Sequence, residues 1–483
     1  MRAVVVGAGA GGLCVAIRLA VAGHDVTVLE RNPVVGGKLA ALREGGYTFD
    51  LGPTLLTLPQ LYDEVVRLAG TALDDEVELL RLDPQFAYRW PDGSSLAIPD
   101  DAAAAVDVVE RFTPGAGAQW SRFGRHAAEI WDVALHTFLA GPVSSPWSLI
   151  SRSRRPADLA RVDGRRTLAK ASASYFDDTR LRQLVNRYAT YSGSSPYRAP
   201  ATLACIAHVQ EAHGCWHVRG GLAGLAGVLE RSAERVGVEI RRGADVGRIV
   251  ASGGAVRGVE LADGGRVDAD IVVSDVDAAH LYAELLPAPK EAKQLDRAGR
   301  STSAFVLCAA VRGHTRVDDA RVAHHNVFFP LHDEQEFRYL EAGRMPIEPT
   351  VYACVSSVTD PTMAPRDGEN WMFIVNTPPA TGIDRKLMSA AVLNRLAERG
   401  IELRNRIEFT RSLVPADIEA RTRAVGGAIY GTSSDGRAAA FQRPANEGPV
   451  DGLFLVGGSA HPGGGLPLVA IGARIVADLV GSA

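Results

Sequence analysis

Arg2-Ala3-Val4-Val5-Val6-Gly7-Ala8-Gly9-Ala10-Gly11-Gly12 runs into an apolar stretch and then into Asp25-Val26-Thr27-Val28-Leu29-Glu30. The order predicts a strand, a glycine turn, a helix and a second strand ending in a carboxylate. Gly7 suits the tight turn, Gly9 the approach of backbone to a pyrophosphate, and Gly12 the close packing of helix on strand, with Gly11 between them. The helix N-terminus offers unpaired amides and the positive end of its dipole. Glu30, about twenty residues on, is placed for ribose hydroxyls. A lone glycine fingerprint is weak, but one framed by two strands and a spaced acid predicts dinucleotide binding. Met1-Arg2 followed by uncharged residues as far as Ile17 could mimic a signal peptide. The fingerprint explains more residues, so an unprocessed start is expected.

Glu30-Arg31-Asn32-Pro33-Val34-Val35-Gly36-Gly37-Lys38 continues into a second glycine pair and a cation. Gly36 and Gly37 permit close backbone approach, and Lys38 or Arg31 can balance phosphate charge. Phe49-Asp50-Leu51-Gly52-Pro53-Thr54 is a small-residue turn suited to lie against a flat ring. The run from Glu30 to Thr54 resembles the FAD site of the amine oxidase and phytoene desaturase superfamily, with Gly52, Pro53, Thr54 and later Val246 among the implied cofactor contacts. The competing reading is an NAD site with a glycine-rich surface loop.

Moving outward, 483 residues allow two or three domains with a large core. The 46% hydrophobic and 22% charged content is that of an ordinary globular chain, and the net charge of −4 argues against general nucleic-acid binding. No apolar run reaches the ~20 residues of a membrane-spanning helix. The five scattered cysteines form no Cys-x-x-Cys pair, so neither a metal site nor a disulfide scaffold is expected, and a reduced, cytoplasmic protein is.

The pattern predicts an α/β protein: a Rossmann-type FAD-binding domain assembled from segments 1–75, 219–285 and 446–483, with a mixed-sheet substrate domain at 76–99 and 286–445. A mostly helical region, 100–218, follows, with breaks at Pro114, Pro142, Pro146, Pro156 and Pro196, and the resemblance implies that it faces a membrane. Ile271-Val272-Val273-Ser274 is a continuous apolar run of the kind buried on both faces of a parallel sheet. Strand patterns also fall at 77–82, 86–90, 304–311 and 350–356, and helical ones at 59–69, 385–399 and 415–423.

Gly452-Leu453-Phe454-Leu455-Val456-Gly457-Gly458 is another buried strand entering a glycine turn, followed after Gly463-Gly464-Gly465 by a helix to about Val480. Gly458 and Ser459 are candidates for the diphosphate or ribityl chain, and the amides around Leu466 and Val469 for the flavin's pyrimidine edge. A plain closing βα unit is the alternative.

Ser192 to Ala201, His208 to Gly221, Thr359 to Pro365 and Leu455 to Pro467 resemble the bacterial phytoene desaturase family nearly end to end. The resemblance implies FAD, a polyisoprenoid substrate and oxygen or a quinone as terminal acceptor. Family members commonly carry a Phe-Arg-Asp-like element near Ser144-Ser145-Pro146-Trp147-Ser148, so no catalytic residue is carried over. His461, Glu211, His213, His217 and Arg219 remain unassigned, and no metal is expected. A flavin amine oxidase acting on a small polar substrate and a non-catalytic prenyl-lipid carrier are the rival readings.

Trp120, Phe123, Ile130, Trp131, Phe138, Leu139, Trp147, Leu149 and Ile150 precede seven basic residues (Arg152, Arg154, Arg155, Arg161, Arg165, Arg166 and Lys170) that face only Asp158 and Asp163. Helical spacing favours a core role for the aromatics. The basic cluster suits either a solvated face or peripheral contact with an anionic membrane.

Overall fold

Val4, Val5 and Val6 are buried, as are all four residues of Ile271–Ser274, because both strands sit inside a five-stranded parallel sheet. Its order is Leu453–Leu455, Ile271–Ser274, Arg2–Val6, Asp25–Glu30, Glu239–Arg242, so the chain returns to this sheet from three distant segments. The structure is a computed structural model describing residues 1–143, 146–153, 158–317, 320–436 and 439–483.

Alternate side chains of the central strands face two cores. Ala3, Val5, Val28 and Val273 pack under the helices Ala10–Val21, Ala223–Arg235 and Leu466–Val480 through Leu13, Ile17, Leu229 and Val476. Val4, Val6, Leu29 and Val272 meet the antiparallel meander of Val246–Ser252, Ala255–Leu261 and Arg266–Asp268. Covering both faces accounts for the unbroken apolar runs of the sequence.

The second sheet has seven strands in the order Ile407–Leu413, Ser303–Arg312, Gly368–Thr377, Val351–Val355, His325–Phe328, Phe86–Arg89, Ser95–Ile98. Neighbours are antiparallel except for the parallel pair His325–Phe328 and Phe86–Arg89. Phe305, Leu307 and Val311 point to the helix Arg385–Ala397, where Val392 and Leu396 are buried. Val306, Cys308, Tyr352, Cys354 and Met372 point the other way, to a core shared with Trp120, Phe123, Phe176 and Leu184 of the helical region.

Several sequence expectations shift here. Leu79–Arg81 pairs with Trp216–Val218 in a two-stranded sheet outside the seven-stranded one, so the region 100–218 ends in a strand. At Pro146 the break lies before the proline, which opens the helix Pro146–Arg152, since proline at the first helical position gives up an amide that has no intrahelical partner anyway. The helix Ala223–Arg235 carries no capping side chain at its start. Its first amides are taken by Asp50, whose Oδ2 accepts from Leu222 N at 3.0 Å and whose Oδ1 accepts from Ala223 N at 3.2 Å.

Trp120, Phe123, Ile130, Leu139 and Leu149 are buried, which is the core role the spacing favoured, while Ile150 is exposed. Part of the basic cluster is tied down. Arg161 pairs with Asp158, Arg166 with Asp163, and Arg152 donates to the carbonyls of Thr137 and Pro142. Arg165 and Lys170 are exposed. Arg154, Arg155, Ser144, Ser145 and Pro156 lie outside the described residues, as does the side chain of Trp147. No helix among the described residues is long and apolar enough to cross a membrane. All five cysteines are free.

Candidate cofactor site

Three glycine-bearing ribbons converge at the carboxyl ends of the parallel strands, where open α/β sheets bind nucleotides. Gly7 turns with φ +100° and Gly9 caps the helix Ala10–Val21 without any side-chain cap. A Cβ on Gly12 would stand 2.1 Å from Gly7 O, so only glycine lets the helix sit this close to its strand. Gly36 bridges Gly9 in parallel fashion and donates to Ala8 O at 2.8 Å. Gly37 adopts φ +57°. A Cβ on Gly11 would lie 3.0 Å from Gly457, which draws the first and last ribbons together. Gly52 passes Lys38 O so closely that a Cβ would clash at 1.9 Å.

Glu30 is buried at the end of its strand. Its Oε2 accepts from Ala8 N at 2.9 Å and its Oε1 from Asn32 N at 2.8 Å and Asn32 Nδ2 at 2.7 Å. A carboxylate has about four acceptor positions, so the glycine turn is fixed and capacity remains for ribose hydroxyls. Val246, buried at the start of its strand, packs in the core beside Leu29.

Electrostatics single out two buried cations. Lys38 Nζ donates to Ile429 O at 2.5 Å, and burial lowers its pKa. Arg443, which the sequence reading passed over, donates to the carbonyls of Tyr430, Gly458 and Thr432, and burial pushes it down to about 10. Both are hydrogen-bonded to carbonyl oxygens, which carry no full charge, so an anion placed between them relieves a real cost. Arg31 instead donates to Ala420 O, while Arg421, from the same helix as Ala420, reaches Gly37 O at 3.3 Å.

Asp275 was also missed. It follows the strand Ile271–Ser274, and its carboxylate lies where Cβ atoms on Gly9, Gly11 and Gly457 would fall, at 2.3, 2.7 and 2.1 Å. Burial lifts this carboxyl to about 7, against the pull of the Gly12 amide and Lys38. No sequence motif marked it, because its role depends on a strand that arrives about 260 residues after the glycine fingerprint.

The remaining candidates spread around this cradle. Thr54 Oγ1 lies 2.7 Å from Tyr352 OH, and Pro53 precedes it in the same turn. Ser459 Oγ accepts from Ala278 N at 3.0 Å, anchoring the glycine turn to the start of the short helix Ala278–His280. Gly458 approaches Gly464. The helix Leu466–Val480 begins after Gly465 with no side-chain cap, and Leu466 O accepts from Tyr62 OH at 2.8 Å. Leu466 and Val469 are both buried in its first turn.

His461 Nε2 faces Gly141 O at 3.1 Å, and burial pushes the ring down to about 4, so it is a neutral structural partner. Glu211 accepts from Trp120 Nε1, and Arg219 pairs with Glu78. The uncapped helix ends, bare glycine ribbons and carbonyl-bound buried cations fit a dinucleotide with an extended diphosphate. Lys38, Arg443 and the first amides of Ala10–Val21 would hold the phosphates, and Glu30 the ribose.

The family model described as "Flavin containing amine oxidoreductase" matches residues 10–480. A hydroxyneurosporene desaturase from Cereibacter sphaeroides is 36% identical over 99% of this chain and 97% of its own. A 4,4'-diapolycopene oxygenase from Methylomonas sp is 32% identical over 99% and 98%. Among solved structures, an oxidoreductase from Methanosarcina mazei covers 99% of this chain and 100% of its own, with a TM-score of 0.69 at 19% identity, and so shares the fold. The match extends across both sheets and all three glycine ribbons, and the chain belongs to the flavin containing amine oxidoreductase family, on its phytoene desaturase-like branch, as an FAD-dependent oxidoreductase.

Proposed function

We propose that this protein desaturates a carotenoid precursor or a related polyisoprenoid. The observation that carries the reading is the end-to-end likeness to enzymes named for such substrates, joined to an intact cofactor cradle. When bound, FAD supplies a hydride acceptor. The chain's own part is to hold and orient an apolar chain and to keep water out. Aromatic and aliphatic side chains from Phe86–Arg89, Val351–Val355 and the helical region form one continuous apolar core, so the walls nearest a hydrocarbon chain would be apolar. The segments 1–75, 219–285 and 446–483 form the cofactor domain in this reading, and 76–99 with 286–445 the substrate domain. The terminal acceptor is oxygen or a quinone.

The helical region makes peripheral contact with a bilayer through Arg165, Lys170 and the exposed Ile150. Reversing Arg165 and Lys170 to glutamate is expected to reduce co-sedimentation with anionic vesicles at low salt. Unchanged sedimentation removes that part of the proposal.

The test is to incubate the purified yellow protein with a panel of colourless and coloured polyenes and record product spectra. Longer-wavelength absorbance bands without incorporation of labelled oxygen support desaturation. The 4,4'-diapolycopene oxygenase likeness favours a second reading, oxygenation of a polyene end, which label in the product would reveal. Flavin bleached by small amines and untouched by every polyene overturns both.

A further inference from the structure

Beneath the Thr54 turn lies a second cluster that the cofactor does not account for. His325 and Cys354 sit opposite each other on the antiparallel strands His325–Phe328 and Val351–Val355. His324 precedes His325, and one ligand-type atom from each of His324, His325 and Cys354 lies within 4.8 Å of the other two. All three side chains are at least nine-tenths buried.

The hydrogen bonding of the two imidazoles is lopsided. His325 Nδ1 lies 2.7 Å from Tyr352 OH, and His324 Nδ1 lies 3.1 Å from Thr359 Oγ1. The Nε2 atom of each ring is buried with no hydrogen-bond partner. An unpaired buried ring nitrogen is costly, and two in one place call for an explanation. Metal-bound histidines show this same division: one nitrogen anchored by an outer partner, the other aimed at the ion.

We propose that His324, His325 and Cys354 bind a transition-metal dication of the Zn2+ type, tying the ends of two strands of the substrate sheet together. Two imidazole nitrogens and one thiolate are a donor set that zinc favours. His217, with its ring centroid 4.8 Å from that of His324 and its Nδ1 buried without a partner, is an imidazole in reach of a fourth position. Its Nε2 is also 3.4 Å from Asp360 Oδ2, an outer carboxylate of the kind that orients a ligating histidine.

Each ring ties one nitrogen to a hydroxyl and leaves its Nε2 without a partner, so that nitrogen is the one free to coordinate. On binding, the Cys354 Sγ–H bond breaks, its proton passes to solvent and the Sγ–metal bond forms; no oxidant or reductant is needed. Coordination through Nε2 also fixes the proton on His325 Nδ1. That proton is donated to Tyr352 OH, and Tyr352 in turn donates to Thr54 Oγ1. The ion therefore sets the direction of a buried hydrogen-bond chain ending at the turn assigned to the cofactor, whichever substrate the enzyme takes.

The test loads the flavin-containing holoenzyme with Zn2+, dialyses it, and measures metal content and the zinc K-edge X-ray absorption spectrum. Roughly one equivalent per chain is expected, with a sulfur neighbour at about 2.3 Å and nitrogen neighbours at about 2.0 Å. Cys354→Ser is expected to lose the sulfur signal and at least about tenfold in retention while keeping its flavin. Less than about a tenth of an equivalent in the parent protein, or equal retention in Cys354→Ser, overturns the proposal. If Cys354→Ser fails to fold, the parent spectrum decides, and the absence of a sulfur neighbour there is equally fatal.

Discussion

The parallel sheet and the seven-stranded sheet build their polar sites by opposite means. Around the parallel sheet the site is mostly main chain: glycines that let ribbons approach, helix ends without caps, and carbonyls that receive Lys38 and Arg443. On the seven-stranded sheet it is mostly side chain: Thr54, Tyr352, His325, His324, Thr359 and Cys354 joined across strands. A main-chain site tolerates no added atom, whereas a side-chain site tolerates exchange at a graded cost. The contrast orders the expected effects of substitution.

The largest effect is expected from Gly12→Val. Its Cβ would meet Gly7 O at 2.1 Å, between backbone elements with no flexible end to move. We expect a loss of more than about 4 kcal/mol, read as insoluble or colourless protein. A soluble yellow variant would break the contrast at its strongest point.

Asp275 comes next. Its carboxyl is lifted in the fold from 3.8 to about 7, so the folded state holds a proton that the unfolded chain releases. Its contribution to stability is therefore greatest below pH 4 and declines as pH rises from about 4 to about 7. Each pKa unit corresponds to about 1.4 kcal/mol, which sets an upper bound of roughly 4 kcal/mol. Asp275→Asn should flatten the pH dependence of the apoprotein melting temperature across that window and tighten FAD binding at pH 8. An unchanged slope assigns the titration elsewhere.

Glu30→Ala removes the acceptor for Ala8 N and Asn32. About 2–3 kcal/mol of stability and a tenfold to hundredfold loss in FAD affinity are expected, measured by titrating apoprotein with FAD. Tyr352→Phe, on the side-chain sheet, should cost only about 1–2 kcal/mol and leave the flavin bound. A loss of flavin from Tyr352→Phe as large as that from Glu30→Ala would erase the distinction between the two sheets.

The same distinction explains what the sequence made legible. The strand Arg2–Val6, the Gly7 turn and Glu30 follow one another within thirty residues, and their signals are local: apolar runs, glycines and a spaced acid. Asp275, Arg421 and Arg443 reach the same cradle from segments far away along the chain, and no residue beside any of them announces it. Asp50 capping the helix Ala223–Arg235 is a similar case, since the cap stands 172 residues from the first amide it serves. Cys354 stands far along the chain from the neighbouring His324 and His325, so the trio lacks the short spacing by which metal ligands are recognised; strand pairing, not sequence proximity, brings the thiol to the two rings. The aromatics around Trp120 and Phe123 were legible as core because they keep helical period.

Strand order also carries a consequence for biogenesis. The strand Ile271–Ser274 is flanked on one side by Arg2–Val6 and on the other by Leu453–Leu455, and the helix Leu466–Val480 packs on Ala10–Val21. A ribosome must therefore translate through residue 480 or so before the first thirty residues acquire their last neighbours. Usual N-terminal-first maturation is inverted here: the earliest segment waits longest, and the cradle for the prosthetic group is complete only once the last strand and helix have been made.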